Sequence, residues 1–514
     1  MNPLPHRHPV TAGRTAGRHL HSPATAEQQA ALDLVETATS TPRPAATAGS
    51  AGRAGTEPDA GWRQVRTDDA SALRLVDEYA TSIRRVADMG TWWCWQEAVW
   101  GRDHDDAHIR EAARTLARAL PQDGAASKAF KRNALSAAGI SATVRVAQSD
   151  PRVSIRARDL DAHPLLLNTR SGVIDLTTGA LTRHDPDLLL TRITATGVHL
   201  DGPHPRWTAF LAETFQADDD LIGYVQRLAG LAVIGEVRDH VLPFLHGVGA
   251  NGKSVLLLVL QGLLGAADTG GYAVAAPDAF LMTGRDGAHP TEIARLRGAR
   301  LVVCSEQSSG RRFDEPRVKR LTGGDILTGR YMRGDFFDFT PSHLLVIASN
   351  HLPQVRDGGP SFWRRVRLIP FTHVVPEHRR DPDLHHRILA EEGPAVLGWA
   401  VRGAITVLRD GLGDPARVTA ATEDYRINED TLACFIRDHC HLGDHHTCEV
   451  TTLRAAYHAH CTELGAEPIS AKALTQRLTT EYGIHTARQS RPARRIYRRI
   501  TLTPDHHHDL DVDQ

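Results

Sequence analysis

The stretch that most constrains this chain reads GVGANGKS and covers residues 247–254. It fits the pattern G-x-x-x-x-G-K-[ST], in which glycines let the backbone curl around a phosphate. The apolar run 241–246 before it predicts a buried strand, and the leucine-rich run 255–264 after it predicts a helix. Because a strand, a glycine-rich loop and a helix follow in that order, the context favours a phosphate-binding loop over an ordinary glycine turn.

The chemistry of such a loop assigns roles to its polar groups. Backbone N–H groups and the positive end of the following helix attract a phosphate. Lys253 is predicted to reach the β- and γ-phosphates, and the Ser254 hydroxyl is predicted to ligate Mg²⁺. The predicted cofactors are therefore ATP and Mg²⁺, and the predicted nucleotide-binding residues are Gly247, Val248, Gly249, Ala250, Asn251, Gly252, Lys253, Ser254 and Val255.

Two later apolar runs end in polar residues that suit nucleotide hydrolysis. Residues 299–306 end in Glu306, where a P-loop ATPase places an acid that holds Mg²⁺ or activates water. Ser305 stands where a second acid is usual, so Glu306 is the predicted general base and metal ligand, with a solvated strand end as the plain alternative. Residues 343–350 end in Asn350, which is predicted to orient the attacking water or to contact the γ-phosphate.

Basic residues alternate with aromatic residues near these strands. Residues 327–339 predict a hairpin whose cations would meet phosphates and whose rings would meet the bases or sugars of a nucleic acid. The alternative is a surface hairpin with Phe337 and Phe339 in the core. Two arginines precede the apolar run 366–371, and an arginine at such a place can stabilise charge in a neighbouring subunit's site or form a surface salt bridge.

The C-terminal part predicts a second nucleic-acid contact. Residues 431–439, 452–464 and 471–481 predict three helices, and the arginine-rich run 485–500 predicts a hairpin. Three helices with a hairpin suggest a winged helix whose arginines suit phosphate contacts, with a solvated basic face as the alternative. The residues predicted to bind DNA in these segments and in the basic segments before them are Lys319, Arg330, Arg333, Lys472, Arg477, Arg494, Arg495 and Arg498.

Composition narrows the class of protein. The chain has 514 residues, 41% of them hydrophobic and 24% charged, which is typical of a soluble protein with several domains. It has no run of about 18 apolar residues and no secretory apolar segment at its start, so no membrane association is expected. Six scattered cysteines fit a reducing cytoplasm. The Cys and His residues between 434 and 461 have wider spacings than structural zinc sites, so zinc is not expected there.

The ordered set of motifs resembles the phage and plasmid DNA primase–helicase family. The motifs are residues 168–179, GVGANGKS, LVVCSE, KRLTGGD, RYMRGDFFDF, the strand that ends in ASN, and FWRRVRLIPF. The resemblance implies an AAA+-like superfamily 3 helicase core that forms a hexameric ring, hydrolyses ATP and moves along one DNA strand. It also implies a sensor role for Asn350, an arginine finger at Arg365 with Arg364 as the second candidate, and a DNA contact in the ring channel at Arg333.

The expected fold is α/β, with a mixed α+β domain before the helicase core and a winged-helix-like domain after it. The expected divisions are a disordered arm (1–65), an N-terminal domain (66–205), the ATPase core (206–376), a helical connector (377–420), the winged-helix-like domain (421–502) and a disordered tail (503–514). Tryptophans between residues 91 and 100 are expected to pack in a core rather than to stack on bases.

The expected function is an ATP-dependent DNA helicase in replication of a phage, plasmid or other mobile element. Residues 1–65 are too short and too polar for a primer-synthesising domain, so primer synthesis is not expected, and a separate primase is a potential partner. Two alternatives stay open: a DNA-binding initiator that uses ATP only to assemble, and a small-molecule P-loop kinase.

Overall fold

The computed structural model describes residues 66–277, 280–283, 289–306, 311–332, 334–355, 359–464, 468–490 and 493–503, with only the backbone of Glu306. The predicted disordered arm, Arg333 and almost all of the predicted tail lie outside these residues. Within the described ranges, no helix combines the length and the apolar character needed to cross a bilayer.

The first region is a four-stranded sheet packed against helices. The sheet has the order β3-β2-β1-β4, with β1, β2 and β3 antiparallel and β4 parallel to β1. Trp92 and Trp100 are fully buried, which confirms the prediction of packed tryptophans for these two residues. The elements are α1 (Asp68–Tyr79), β1 (Ile83–Val86), β2 (Thr91–Trp95), β3 (Trp100–Arg102), α2 (Ala107–Ala119), α3 (Ala125–Ala134), α4 (Ala137–Ala147) and β4 (Ser154–Ile155).

The second region shares a hydrophobic core with the helix that follows residues 247–252, rather than with the first sheet. Its elements are β5 (Leu166–Thr169), β6 (Gly172–Asp175), β7 (Leu181–Thr182), α5 (Pro205–Phe215) and α6 (Asp219–Leu231). Leu167 and Ile174 belong to the same buried cluster as Trp207 of α5 and Leu263 of the helix that follows the phosphate loop. The division predicted at residue 205 therefore cuts through one hydrophobic core, because strand patterns alone do not show which helices they cover.

The third region contains a five-stranded parallel sheet of order β14-β8-β13-β10-β9. Its strands are short apolar runs buried on both faces, as parallel strands require. The elements are β8 (Leu242–His246), α7 (Lys253–Leu264), β9 (Ala273–Ala275), α8 (Pro290–Ala294), β10 (Leu301–Glu306), α9 (Glu315–Leu321), β11 (Leu327–Arg330), β12 (Phe336–Phe339), β13 (Leu344–Ser349), α10 (Pro360–Trp363) and β14 (Val366–Pro370).

Alternate residues of the parallel strands enter different cores. Leu245 and Val346 pack in the cluster that contains α7, whereas Phe244 and Leu345 pack in the cluster that contains α9 and β12. Pro243 lies inside β8 rather than at its start, yet β13 pairs with β8 only from Phe244 onward. The proline therefore does not remove a hydrogen bond to that strand.

Two helices then connect this sheet to the last domain. They are α11 (Leu384–Asp410) and α12 (Ala416–Glu429). Helix α11 packs in the cluster of α7, while Tyr425 of α12 packs in the cluster on the opposite face of the sheet. The end predicted for the connector, residue 420, falls inside α12.

The C-terminal domain has its own core and consists of three helices and a three-stranded antiparallel sheet of order β15-β17-β16. The three predicted helices and the hairpin are confirmed. Strand β15 was not predicted, because only Cys440 and Cys448 of its ten residues are buried and the segment has no apolar strand pattern. The elements are α13 (Thr431–His439), β15 (Cys440–Glu449), α14 (Val450–Glu463), α15 (Ala471–Tyr482), β16 (Thr486–Ser490) and β17 (Ala493–Leu502).

Candidate active site

The carboxyl ends of the parallel strands lie level at one edge of the sheet. His246, the last residue of β8, pairs with Ser349 of β13 and with Pro370 of β14, and Ser349 pairs with Glu306 of β10. Because neighbouring strands lie about 4.8 Å apart, the Glu306 backbone is about 10 Å from His246. The edge therefore brings together the phosphate loop, which follows His246, and the two polar strand ends predicted from sequence.

Two glycines give the loop its close packing. Gly247 has φ 157°, and a Cβ there would lie 2.2 Å from the Phe371 carbonyl oxygen. Gly252 has φ 91°, and a Cβ there would lie 2.8 Å from the Thr214 hydroxyl of α5. These are close approaches to backbone and to a helix, so no larger residue fits at either position without moving its neighbours.

Lys253 is the first residue of α7 and is only 7% exposed. Its Nζ donates to the Gly247 carbonyl at 2.6 Å and to the Asn251 Oδ1 at 3.0 Å. Among the described residues no carboxylate forms an ion pair with it, and burial lowers the pKa of the ammonium. A buried cation without a counter-ion is costly, so an anion brought to the loop would be strongly stabilised.

Asn251 ties Lys253 to the end of β14. Its amide Nδ2 donates to the Phe371 carbonyl at 3.0 Å while its Oδ1 accepts from Lys253. The Val375 N–H also donates to the Ala250 carbonyl at 2.8 Å. The sequence pattern assigned Asn251 to nucleotide binding, whereas its buried side chain serves the position of the lysine and the loop.

The outer part of the loop has the donors that a phosphate needs. No backbone N–H from Val248 to Gly252 donates a hydrogen bond to a described acceptor. The tip is open, with Val248 exposed and nothing within 4 Å of a Cβ built on Gly249. Ser254 is exposed on the first turn of α7. The residues present therefore fit a phosphate with an adjacent Mg²⁺, because N–H donors, a cation and a hydroxyl ligand meet at a helix N-terminus.

The strand ends beside the loop carry the other predicted groups. Asn350 follows β13 directly and is exposed at the edge. Glu306 ends β10 one strand away, and the position of its side chain lies outside the described atoms. His246, which the sequence analysis did not single out, is half-buried at the same edge; burial, followed by the charge of Lys253, lowers its pKa. Its only sequence signal was its place directly before the first glycine.

The two arginines before β14 have opposite surroundings. Arg365 is 8% exposed, its Nη1 donates to the Ser361 carbonyl, and burial lowers its pKa. Arg364 is exposed and forms no ion pair with any described residue. Arg365 is thus largely covered by its own chain, and its predicted role as an arginine finger stays a prediction. Its neighbour Arg364 is at the surface.

The hairpin β11–β12 combines a cation with exposed rings. Arg330 lies over the Phe336 ring, with 4.8 Å between its Cζ and the ring centroid, and Tyr331 stacks on Phe337 at 5.0 Å. Phe336 and Met332 are exposed, and Phe339 is buried. Lys319 of α9 is half-buried and lies 3.7 Å from Glu315. The hairpin thus has a core face and a face with exposed aromatic and basic groups.

The predicted DNA contacts in the C-terminal domain separate into paired and unpaired arginines. Arg477 is held by Asp430 at 2.6 Å and by Glu481 at 2.7 Å, and these carboxylates raise its pKa. Arg494 lies 3.0 Å from Glu449. Lys472, Arg495 and Arg498 are exposed and form no ion pair with described residues. Arg477 therefore links α15 to the start of α13, whereas Arg495 has no described carboxylate partner; DNA binding by either arginine stays a prediction.

The cysteines and histidines of this domain do not gather into a metal site among the described residues, where no group of three or more potential ligands occurs. Cys434, Cys440, Cys448 and Cys461 are buried as free thiols. His439 and His460 contact each other with 3.0 Å between ring nitrogens.

Comparison with known families matches two parts of the chain. Residues 72–216 match the family described as D5 N terminal like. Residues 245–365, which include the phosphate loop and the arginines before β14, match a family of unknown function, DUF5906.

Among curated proteins, the chain is similar to viral proteins with helicase names. "Putative helicase 022R" of Frog virus 3 (isolate Goorha) is 33% identical over 257 residues, which cover 46% of this chain and 26% of the viral protein. The corresponding L207/L206 protein of Acanthamoeba polyphaga mimivirus is 25% identical over 307 residues, which cover 55% of this chain and 31% of that protein. The chain thus matches about a quarter to a third of the length of these relatives.

Among solved structures, the apo structure of the NrS-1 C terminal region (305-718) is 11% identical, with a TM-score of 0.49, and covers 84% of this chain and 99% of that one. The family and relative matches agree with the motifs read in the sequence. They confirm the resemblance to the phage and plasmid primase–helicase family.

Proposed function

We propose that this protein is an ATP-dependent DNA helicase that acts in replication of a phage, plasmid or other mobile element. One observation carries the proposal: the register of the parallel sheet sets the phosphate loop, the end of β10 and Asn350 level at one edge. A nucleotide hydrolase needs a phosphate cradle, a base and a sensor within one site. The helicase names of the viral relatives support DNA unwinding as the function that ATP hydrolysis drives.

Each residue then has a role that follows from its surroundings. Lys253, buried and without a carboxylate partner in the described chain, would neutralise charge on the β- and γ-phosphates. The Ser254 hydroxyl and Glu306 would hold Mg²⁺, which when bound would neutralise charge on the phosphate oxygens. Glu306 would accept a proton from the attacking water, and Asn350 would orient that water.

The place of Arg364 supports an oligomer. Val366, near Arg364, pairs with Leu242 at the start of β8, whereas the phosphate loop follows His246 at its end. Four residues of strand separate the two ends, which is about 13 Å. Arg364 therefore lies at the opposite edge from its own loop, and an arginine finger at this place acts on a neighbouring subunit. This supports the homo-oligomeric ring, with six subunits as the expected number, and it makes Arg364 our proposed finger in place of Arg365.

Two surfaces would contact DNA. The exposed rings and Arg330 of the β11–β12 hairpin suit a single strand, since rings stack on bases and cations meet phosphates. The C-terminal domain, with its three helices and antiparallel hairpin, suits a winged helix on duplex DNA. The insertion of β13 between the phosphate-loop strand β8 and the acid strand β10 supports the AAA+-like superfamily 3 assignment. The absence of primer synthesis stays a prediction.

A strand-displacement assay with and without ATP tests the proposal. We expect unwinding and DNA-stimulated ATP hydrolysis from the intact chain, and loss of both in Lys253→Ala by a factor of about 10² or more. Lys128→Ala, which removes an exposed lysine of α3, is the matched control and should keep both activities.

Three other outcomes contradict the proposal in different ways. DNA binding and ring formation without strand separation would indicate an initiator. ATP turnover that DNA does not stimulate would indicate a small-molecule kinase. Hydrolysis that survives in Lys253→Ala would remove the phosphate loop from the mechanism.

A further inference from the structure

The arginines of β17 lie on two different faces of the C-terminal sheet. Side chains alternate along a strand, so Arg495 shares a face with Tyr497, while Arg494 and Arg498 share the other. Tyr497 is fully buried, and its hydroxyl lies 2.8 Å from the Thr475 hydroxyl of α15. The face of Arg495 is therefore the one on which α15 packs, and Arg494 and Arg498 lie on the outer face.

A second arginine that the sequence analysis did not select stands beside Arg495. Arg488 of β16 is the direct cross-strand partner of Arg495. Directly opposite side chains in an antiparallel pair have Cβ atoms about 5 Å apart, and like charges there destabilise the sheet. Both arginines are exposed, and neither forms an ion pair with a described carboxylate. Two facing cations without a described counter-ion attract an anion.

The start of α15 carries further positive charge beside the same face, since Thr475, one turn after Lys472, contacts the Tyr497 hydroxyl. The cross-strand pair of Arg488 and Arg495 lies two residues along the hairpin from Tyr497, which contacts α15. Two residues of strand span about 7 Å. Lys472 is exposed on the first turn of α15, and Arg454 of α14 donates to the Ala471 carbonyl at 3.2 Å. The N-terminus of this twelve-residue helix also attracts negative charge.

The outer face has a different charge balance. Arg494 lies 3.0 Å from Glu449. The two faces of the hairpin thus differ, because a described carboxylate neutralises Arg494 on the outer face, whereas neither Arg488 nor Arg495 on the inner face has such a partner.

We propose that the crevice between the N-terminal half of α15 and the β16–β17 hairpin binds the phosphate backbone of duplex DNA. Arg488 and Arg495 hold the phosphates from the hairpin side, and Lys472 does so from the helix side. Tyr497 is buried and cannot stack on a base. It therefore does not supply the ring contact that proteins use to bind single strands. This proposal rests on the DNA-binding part of the proposed function and does not depend on ATP hydrolysis.

The test measures binding of the full chain to a mixed-sequence duplex, without nucleotide, over a range of salt concentrations. Arg488→Ala with Arg495→Ala is compared with Arg494→Ala with Arg498→Ala, which removes the same charge from the same hairpin on its outer face. We expect the inner-face pair to weaken binding about tenfold or more and to reduce the salt slope by about 2. The outer-face pair should change affinity less than about threefold. Replacement of the inner pair by lysines should retain most of the affinity.

Several results decide the matter. Equal losses in both alanine pairs would show that only net charge counts, and the crevice would be rejected. A loss for a single strand as large as for the duplex would reject duplex DNA as the ligand. Unchanged binding in the inner-face pair, with an unchanged melting transition, would reject the site outright. ATP hydrolysis without DNA should be the same in all these variants, so a failure here is distinct from a failure of the ATPase assignment.

Discussion

Lys253 at the start of α7 and Arg477 in the C-terminal domain are both cations shielded from solvent to different degrees, and their neighbours differ. Lys253 contacts a carbonyl and an amide oxygen, and no described carboxylate pairs with it. Arg477 contacts two carboxylates, on Asp430 and Glu481. The first cation can hold an incoming anion, whereas the second already has its counter-ions and holds two helices together. The presence or absence of carboxylates around a basic side chain therefore indicates its role better than its position in the sequence does.

The same contrast separates two adjacent arginines at the amino edge of the sheet. Arg365 is turned inward onto the Ser361 carbonyl, and Arg364 is exposed. The largest expected effect comes from this pair. Arg364→Ala should lower ATP turnover by a factor on the order of 10³, because a finger stabilises charge only in the transition state. Steady-state ATPase kinetics together with nucleotide-binding measurements should show a fall in kcat with little change in ATP affinity.

Arg365→Ala is the matched variant. It removes the same charge one residue away, and we expect it to lower the melting temperature while the folded fraction keeps its turnover. A mixture of Lys253→Ala and Arg364→Ala chains should regain partial activity, because one supplies the finger and the other the loop. If Arg365→Ala abolishes turnover and Arg364→Ala does not, the inward conformation of Arg365 is not the working one.

The strand, glycine loop and helix around residues 247–254 could be predicted from sequence because they are adjacent in the chain. The contacts of Gly247 with Phe371 and of Gly252 with Thr214 join distant residues and could not be predicted in that way. Helices α13 and α15 could be predicted because their apolar spacing is local. Their ends matched the predicted ranges within one or two residues.

Other features depend on register between distant strands and could not be predicted in that way. The like-charge row of Arg488 and Arg495 exists only because β16 pairs with β17 in one register. The pairing of Arg477 with Asp430 joins residues far apart in sequence, so the sequence did not show that this arginine has a carboxylate partner. The inward turn of Arg365 depends on the short helix α10, which sequence periodicity does not show.

His343 is a third buried basic group, and its substitution should have an effect of intermediate size. It lies directly before β13, and burial lowers its pKa to about 4 from the usual 6.5. Because the folded pKa lies below the unfolded one, the unfolded chain binds a proton first as the pH falls. Stability from this group is complete above about pH 6.5 and is lost progressively toward pH 4, at no more than about 1.4 kcal/mol per pH unit.

His343→Leu, an apolar residue of similar size, should remove that part of the slope. Thermal unfolding of both proteins between pH 7 and pH 4 measures the difference. Equal slopes would mean that the imidazole accepts a proton in the folded chain, and that burial without an acidic partner does not keep a basic group neutral here.

The smallest expected effect tests the opening contrast directly, in one helix. Arg477→Ala should destabilise the C-terminal domain by about 1–2 kcal/mol, since it removes a partly buried guanidinium from two carboxylates. It should leave the salt slope of duplex binding unchanged. Lys472→Ala, five residues earlier on α15, should do the reverse, with little change in stability and a slope reduced by about 1. A reduced slope in Arg477→Ala would show that DNA competes with Asp430 and Glu481 for this arginine. Basic side chains that are paired with carboxylates would then also have to be counted among the phosphate contacts.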